Sequence, residues 1–502
     1  MIRTSDVWWK NAVLYCLDIE TFSDEGFRGA TERIDHLHAL GVTCVWLMPF
    51  YPTAERDDGY DITDFYNVDP RLGSLGDFVE FVRAARDRGM RVIADLVVNH
   101  TSDQHPWFHD PAKRDWYVWA DEPQEDGPQG ITFPDKEDSL WEYSEEVGRY
   151  YLHRFYKHQP DLNVSNPEVR DEIARIMGFW MELGLSGFRV DAVPFLLEHN
   201  DPKDAIKLPD PHDYLTDLRA FLNRRNGEGV LLGEVNLPYK DTMPFYGQGV
   251  GDELTMCFDF VGMQAMYLAL ARKSTGPLVK ALQERPKPPR DGHWATFVRN
   301  HDELTLDKLP PDERQEVFDA FGPDPDMQLY GRGLRRRLPG MLDGDQRRIR
   351  MVYSLLFTLP GTPVLFYGEE IGLEEDLSLE GRLAVRVPMD WEAAGEQRHD
   401  PDSLLTWMRQ LVECYRECPE LAWGEVQVLD VGDPSVFAHR ADCDGGAVIV
   451  VHNFADQDVT VRVPAEGVLT NVLTGEDVKP AKTGAKVDLA PYDCHWFRLN
   501  VE

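Results

Sequence analysis

The sequence predicts an α/β protein built on a (β/α)8 TIM barrel, with a subdomain inserted after strand 3 and a C-terminal antiparallel β-domain. Three observations predict it. Eight short apolar strand patterns alternate with amphipathic helical patterns, as in a parallel sheet covered on both faces. One connection, after the third strand, exceeds 80 residues and is too long for a simple crossover. Near Ala422 the helical period gives way to short alternating strands.

The eight strand segments are AVLYCLDI (12–19), VTCVWLMPF (42–50), RVIADLVVNH (91–100), GFRVDAV (187–193), VLLGEV (230–235), MCFDFV (256–261), ATFVRNH (295–301) and PVLFYGEE (363–370). The polar stretch from Thr101 to about Pro160 is rich in Pro and Asp and forms the insertion. SLLTWMRQLVECYREC (403–418) has the spacing of an amphipathic helix and closes the barrel. AVIVVHNF, VTVRVP and HWFRLN then alternate as antiparallel strands. The expected division is a catalytic barrel of residues 1–100 and 161–421, an inserted subdomain of 101–160 and a C-terminal β-sandwich of 422–502.

With 502 residues, 42% of them hydrophobic, the chain can bury a large core in more than one domain. Its net charge of −36 repels nucleic acid and anionic membrane surfaces, which leaves a neutral or cationic ligand. The N-terminal segment lacks a leader-like apolar run, and no stretch reaches 18 apolar residues, so a soluble cytoplasmic protein is expected. The seven cysteines have no metal-like spacing. Cys414 and Cys418 stand four apart, as on one helix face, and are expected to be reduced.

Charges gather where a barrel keeps its chemistry, at the C-terminal ends of the strands. Strand three ends in Asp95, Asn99 and His100; strand four carries Arg189 and Asp191; strand five ends in Glu234; strand seven is followed by Arg299, Asn300, His301 and Asp302. Period-2 alternation turns Arg189 and Asp191 to the same face, and buried charges require partners. Pairing with Arg189 keeps a carboxylate such as Asp191 charged and aimed, while Glu234 at an apolar strand end is poised to hold a proton. Two carboxyls with those opposed states suit glycoside chemistry. Taken singly, such an Asp–Arg pair is more often structural, and the histidines can be satisfied core residues; four polar strand ends at one mouth weigh against both readings. A metallohydrolase uses similar residues, but no HxH or HExxH spacing is present.

At these residues the chain resembles the α-amylase family, glycoside hydrolase family 13. DLVVNH (95–100), GFRVDAVP (187–194), GEVN (233–236) and RNHDE (299–303) resemble its four ordered motifs, and DDGYDITDFY (57–66) and QPDLN (159–163) resemble two accessory ones. The resemblance implies Asp191 as nucleophile, Glu234 as general acid/base and Asp302 as the residue that fixes the sugar. It also implies sugar contacts by Asp58, Tyr60, His100, Arg189, His301, Asn236, Glu303 and Arg386, with Asp58 and Tyr60 closing an exo-type pocket.

Within the family, NHDELTLD (300–307), DAVPFLLE (191–198) and the basic run 332–351 resemble trehalose synthases, while QPDLN and HPWF (105–108) are shared with oligo-1,6-glucosidases. Ala192 is similar to the residue of enzymes acting on α-1,4 bonds. The implied activity is maltose and trehalose interconversion with side hydrolysis; the alternatives are an α-glucosidase acting on maltose or sucrose and, remotely, a non-catalytic sugar-binding protein. The arginine-rich run is expected to be an ion-paired face serving as part of a lid. The resemblance also implies a structural calcium held by Asn99, Asp161 and Glu198 with the carbonyls of Phe195 and Leu196, an oxygen-only set. TFSDEGFRG (21–29) departs from the family's longer calcium loop, and Asp390 departs from its usual Gln. The partner is a small α-linked di- or oligosaccharide, with no organic cofactor.

Overall fold

A computed structural model describes residues 7–124, 130–196, 211–444 and 446–500. Eight parallel strands close into a barrel: β1 Leu14–Leu17, β2 Cys44–Leu47, β3 Arg91–Leu96, β4 Gly187–Val190, β5 Val230–Gly233, β6 Met256–Phe258, β7 His293–Phe297 and β8 Thr362–Phe366. Each pairs with its neighbours in sequence, and β8 returns to β1 through Leu14 opposite Val364. Nearly every barrel-strand residue is buried, because helices cover the outer face and side chains fill the interior.

The strands match the expected segments and are shorter at their C-terminal ends. In MCFDFV, Asp259 stops β6 at Phe258: its carboxylate accepts the Gly262 amide at 2.8 Å and starts the helix Phe260–Arg272. The surrounding helices begin on equally local signals. Ser74 and Asp77 form a reciprocal capping box at α1, Leu75–Asp87. Asn166 followed by Pro167 opens α2, Pro167–Glu182. The ring continues with α3 Asp213–Arg225, α4 Phe260–Arg272, α5 Gln346–Thr358 and α6 Leu404–Glu417, the last capped by Ser403.

The insertion carries a three-stranded antiparallel sheet of Trp119–Ala120, Trp141–Ser144 and Arg149–Leu152 over a small core that includes Val118, Leu140 and Trp141. Its ends meet at bridges between His100 and Asp161 and between Tyr117 and Leu162, which place it beside the C-terminal end of β3. In the C-terminal domain a six-stranded antiparallel sheet and a two-stranded one share a core rich in Val and Leu. Its strands β9 Val436–Cys443, β10 Gly446–Asn453 and β11 Cys494–Asn500 face α5. There Ser354 Oγ stands 2.9 Å from His452 Nε2 and accepts the Trp496 indole N–H at 2.8 Å, and His439 Nε2 reaches the Thr358 carbonyl at 2.8 Å. All three contacts are buried, so this domain is part of the barrel's outer packing.

All seven cysteines are free thiols. Among the described residues, no helix is long and apolar enough to cross a membrane.

Candidate active site

The charges of β4 find their partners around Arg189. This guanidinium is 1% exposed; Nη1 donates to Asp95 Oδ1 and to Asp191 Oδ1, both at 2.5 Å, while Nη2 reaches Glu234 Oε2 at 2.8 Å. Three carboxyls thus surround one cation that packs 5.4 Å from the Trp46 ring. Their joint ionisation would leave excess buried negative charge. Burial, opposed by Arg189, raises Glu234 to about 7 and Asp95 likewise to about 7. Glu234 Oε2 also accepts the Ala192 amide at 3.1 Å, and Ala192 has a positive φ of 49° that turns the chain immediately after Asp191.

Asp302 lies in the opposite electrostatic setting. Its Oδ1 receives Arg382 Nη1 at 2.9 Å and Arg386 Nη2 at 3.1 Å. Burial acts to raise this carboxyl, and the arginines override it and hold it well below the usual carboxylate range. His301 Nε2 stands 2.5 Å from the Tyr60 hydroxyl with the two rings stacked, and burial keeps His301 neutral at pH 7. His100 Nε2 lies 3.1 Å from the Tyr60 carbonyl, and burial lowers its pKa too.

These groups border one cavity of about 380 Å3. Asp191, Glu234 and Asp302 all line it, as do Tyr60, His100, Asn236 and Glu303, while buried Arg189 and Arg386 hold the carboxylates and His301 meets Tyr60. Asp58, expected at the sugar, has a left-handed backbone (φ 47°) and pairs with Arg386 through a side chain that stays 23% exposed, and Asp57, one residue earlier, lines the cavity. Burial raises Asp57 to about 7 although Gln159 donates to it at 2.7 Å. Asn236 gives its amide N–H groups to Asp307, itself 2.8 Å from Lys308.

Glu303, expected to touch sugar, is 5% exposed and engaged by two arginines: Arg332 on Oε1 at 3.0 Å and Arg382 on Oε2 at 2.7 Å. The arginine-rich run joins loops around the mouth. Arg335 donates to the Leu377 and Leu379 carbonyls, Arg336 pairs with Glu375 at 2.6 Å, and buried Arg337 donates to the Tyr367 and Val385 carbonyls. Arg382, Phe133 and Asp57 were not singled out from the sequence, and Arg332 only as the first residue of the basic run. One signal was available for Arg382, which sits four residues before Arg386 on the short 3-10 helix Gly381–Val385.

Of the residues expected to hold calcium, Asn99 Nδ2 donates to Asp161 Oδ1 at 3.3 Å, and the same oxygen accepts the Arg154 amide at 3.0 Å. Phe195 and Leu196 close a short helix Val193–Leu196, and Glu198 lies outside the described residues. Among the described residues no three His, Cys, Asp or Glu side chains group as metal ligands. The segment 21–29 is taken up in two helices, Ile19–Phe22 and Gly26–Glu32.

Residues 21–310 match the family model for the α-amylase catalytic domain, and residues 426–496 match that for the maltogenic amylase C-terminal domain. The chain is 36% identical to a trehalose synthase of Thermus thermophilus over 98% of its own length and 56% of the relative's, so it spans about half of that protein. It is 34% identical to a trehalose synthase of a Pimelobacter species, covering 98% of this chain and 96% of the other. Among solved structures, an α-amylase from H. orenii superposes with a TM-score of 0.79 at 25% identity, covering 98% of this chain and 100% of that one.

Proposed function

The chain belongs to the α-amylase family of glycoside hydrolases, and from that premise we propose that it is a retaining α-glucoside enzyme that interconverts maltose and trehalose within one pocket. The observation that carries this reading is the shared guanidinium: adjacent nitrogens of Arg189 hold Asp191 and Glu234 at one cavity wall. That placement suits the separation of about 5–5.5 Å needed by a retaining pair.

Asp191 attacks the anomeric carbon while Glu234, which keeps its proton near neutral pH, protonates the departing glycosidic oxygen. The C1–O bond to the second sugar breaks and a β-glucosyl ester to Asp191 forms. Asp302, held charged by Arg382 and Arg386, orients the ring hydroxyls and stabilises the positive charge developing at C1. Glu234 then takes a proton from an incoming hydroxyl, which attacks C1 and restores the α configuration. If that hydroxyl belongs to the retained glucose, the product is the isomeric disaccharide. If it belongs to water, the product is glucose. Hydrolysis is the second reading, supported by the 21% exposure of the Glu234 side chain, which gives water a path.

Incubation with maltose, trehalose and sucrose separately, followed by NMR, tests the proposal. Trehalose formed from maltose with little free glucose supports transfer; glucose without trehalose refutes it. We also propose calcium at Asn99 and Asp161, with the Phe195 and Leu196 carbonyls and Glu198, because the Asn99 and Asp161 side chains, which can each supply an oxygen, already meet at 3.3 Å. Its binding would brace the junction between β3 and the insertion, and a chelator that leaves the melting temperature unchanged would refute it.

A further inference from the structure

Arg382 stands where three parts of the chain meet at the cavity wall. Its Nη1 donates to Asp302, and its Nε and Nη2 go to Glu303 Oε2 at 2.8 and 2.7 Å. The guanidinium carbon lies 5.2 Å from the centre of the Phe133 ring and 5.8 Å from that of Tyr330. Phe133, from the insertion, packs 4.9 Å from Tyr330, and Arg332, from the same segment as Tyr330, donates to the Thr132 carbonyl at 2.8 Å. Glu303 thus fixes Arg382 on one side and Arg332 on the other, and the two arginines seam the insertion to the barrel.

A guanidinium has five N–H donors, and these contacts use three of Arg382's. Arg382, Arg332 and Phe133 line the cavity. Asp302 uses Oδ1 for its arginines, and its Oδ2, 3.7 Å from His301 Nε2, takes no arginine.

We propose that Arg382, positioned by Glu303, holds the released glucose through its two remaining N–H donors and thereby sets the partition between glucosyl transfer and hydrolysis. The inference rests on the retaining, transfer-competent reading above. In the governed step the Asp191–C1 ester bond breaks, a bond from C1 to an oxygen of the retained glucose forms, and the proton of that hydroxyl passes to Glu234. Arg382 contributes no proton; it keeps the acceptor oxygen over C1 in place of water.

The test supplies maltose together with isotopically labelled free glucose and measures the trehalose-to-glucose product ratio and the label in trehalose. The wild-type chain is expected to give a high ratio and little label. Arg382→Lys keeps the charge and loses the planar fork; its ratio is expected to fall about tenfold or more, with any remaining trehalose labelled. Glu303→Gln leaves Arg382 in place but loosens its grip and is expected to shift both readouts in the same direction by a smaller factor, whereas a merely structural role would lower total turnover without changing the ratio. Aryl α-glucoside cleavage measures the first half-reaction in each variant, and the fall in product ratio must exceed any fall there. If the wild type isomerises and both folded variants keep its ratio and its unlabelled product, the role of Arg382 is refuted and the functional reading survives. If the wild type yields only glucose, both fall. Should Arg382→Lys not fold, Glu303→Gln alone decides.

Discussion

Replacing Glu234 by Gln keeps the side chain's shape and removes its proton equilibrium. Burial raises the carboxyl from 4.5 to about 7 against the opposing pull of Arg189, so the folded chain binds this proton more tightly than the unfolded one. Stability linked to the group is therefore fully present below about pH 4.5 and is lost as pH rises through 7. The span corresponds to about 3 kcal/mol, most of it between pH 5 and pH 8. With about 2 cal/mol/K of unfolding entropy per residue, a chain of this length has about 1 kcal/mol/K, so the effect is about 2–3 °C in melting temperature. Thermal melts of wild type and Glu234→Gln at pH 5 and pH 8 measure it. The wild type is expected to lose about 2–3 °C more than the variant over that interval. Parallel pH dependences would refute the assignment of the raised pKa to Glu234. The same group predicts that wild-type kcat/KM falls on the alkaline side of about pH 7, as the acid needed for leaving-group protonation is lost.

Asp191→Asn removes the attacking carboxylate while keeping a partner for Arg189, and turnover of maltose is expected to fall on the order of 10^4-fold with the fold intact by circular dichroism. A variant retaining a tenth of the activity would exclude Asp191 as nucleophile. Trp496→Phe deletes the indole N–H that Ser354 accepts at the buried domain contact, and a loss of about 1–2 kcal/mol is expected in denaturant unfolding. No measurable change would show that this contact does not join the two domains energetically.

The barrel was legible because its strands are short, apolar and interleaved with helices opened by recognisable caps such as Ser74 and Asn166. The residues at strand ends were legible for the same reason: once β4 is a barrel strand, Arg189 and Asp191 must face the mouth with the ends of β3 and β5. Asp57 was missed because a carboxylate lining the cavity beside Asp58 leaves no trace in two adjacent aspartates. Arg382 and Phe133 were missed for a different reason. They meet across some 250 residues of sequence in loops without period, where only tertiary contact tells a paired surface arginine from one at a cavity wall. Glu303 was legible through its motif, but its pairing with Arg332 and Arg382, far along the chain, was not.

The size of the cavity has a kinetic meaning. One glucose confined to about 380 Å3 is present at about 4 M, against about 55 M for liquid water. By mass action alone, a freely wetted cavity would favour hydrolysis by about tenfold. Efficient isomerisation therefore demands either that few waters remain beside the ester or that the sugar's oxygen is aligned on C1 far more of the time than any water's. Lowering water activity with an inert cosolvent would weaken the competitor without altering the sugar, and the product ratio would respond only in the wetted case.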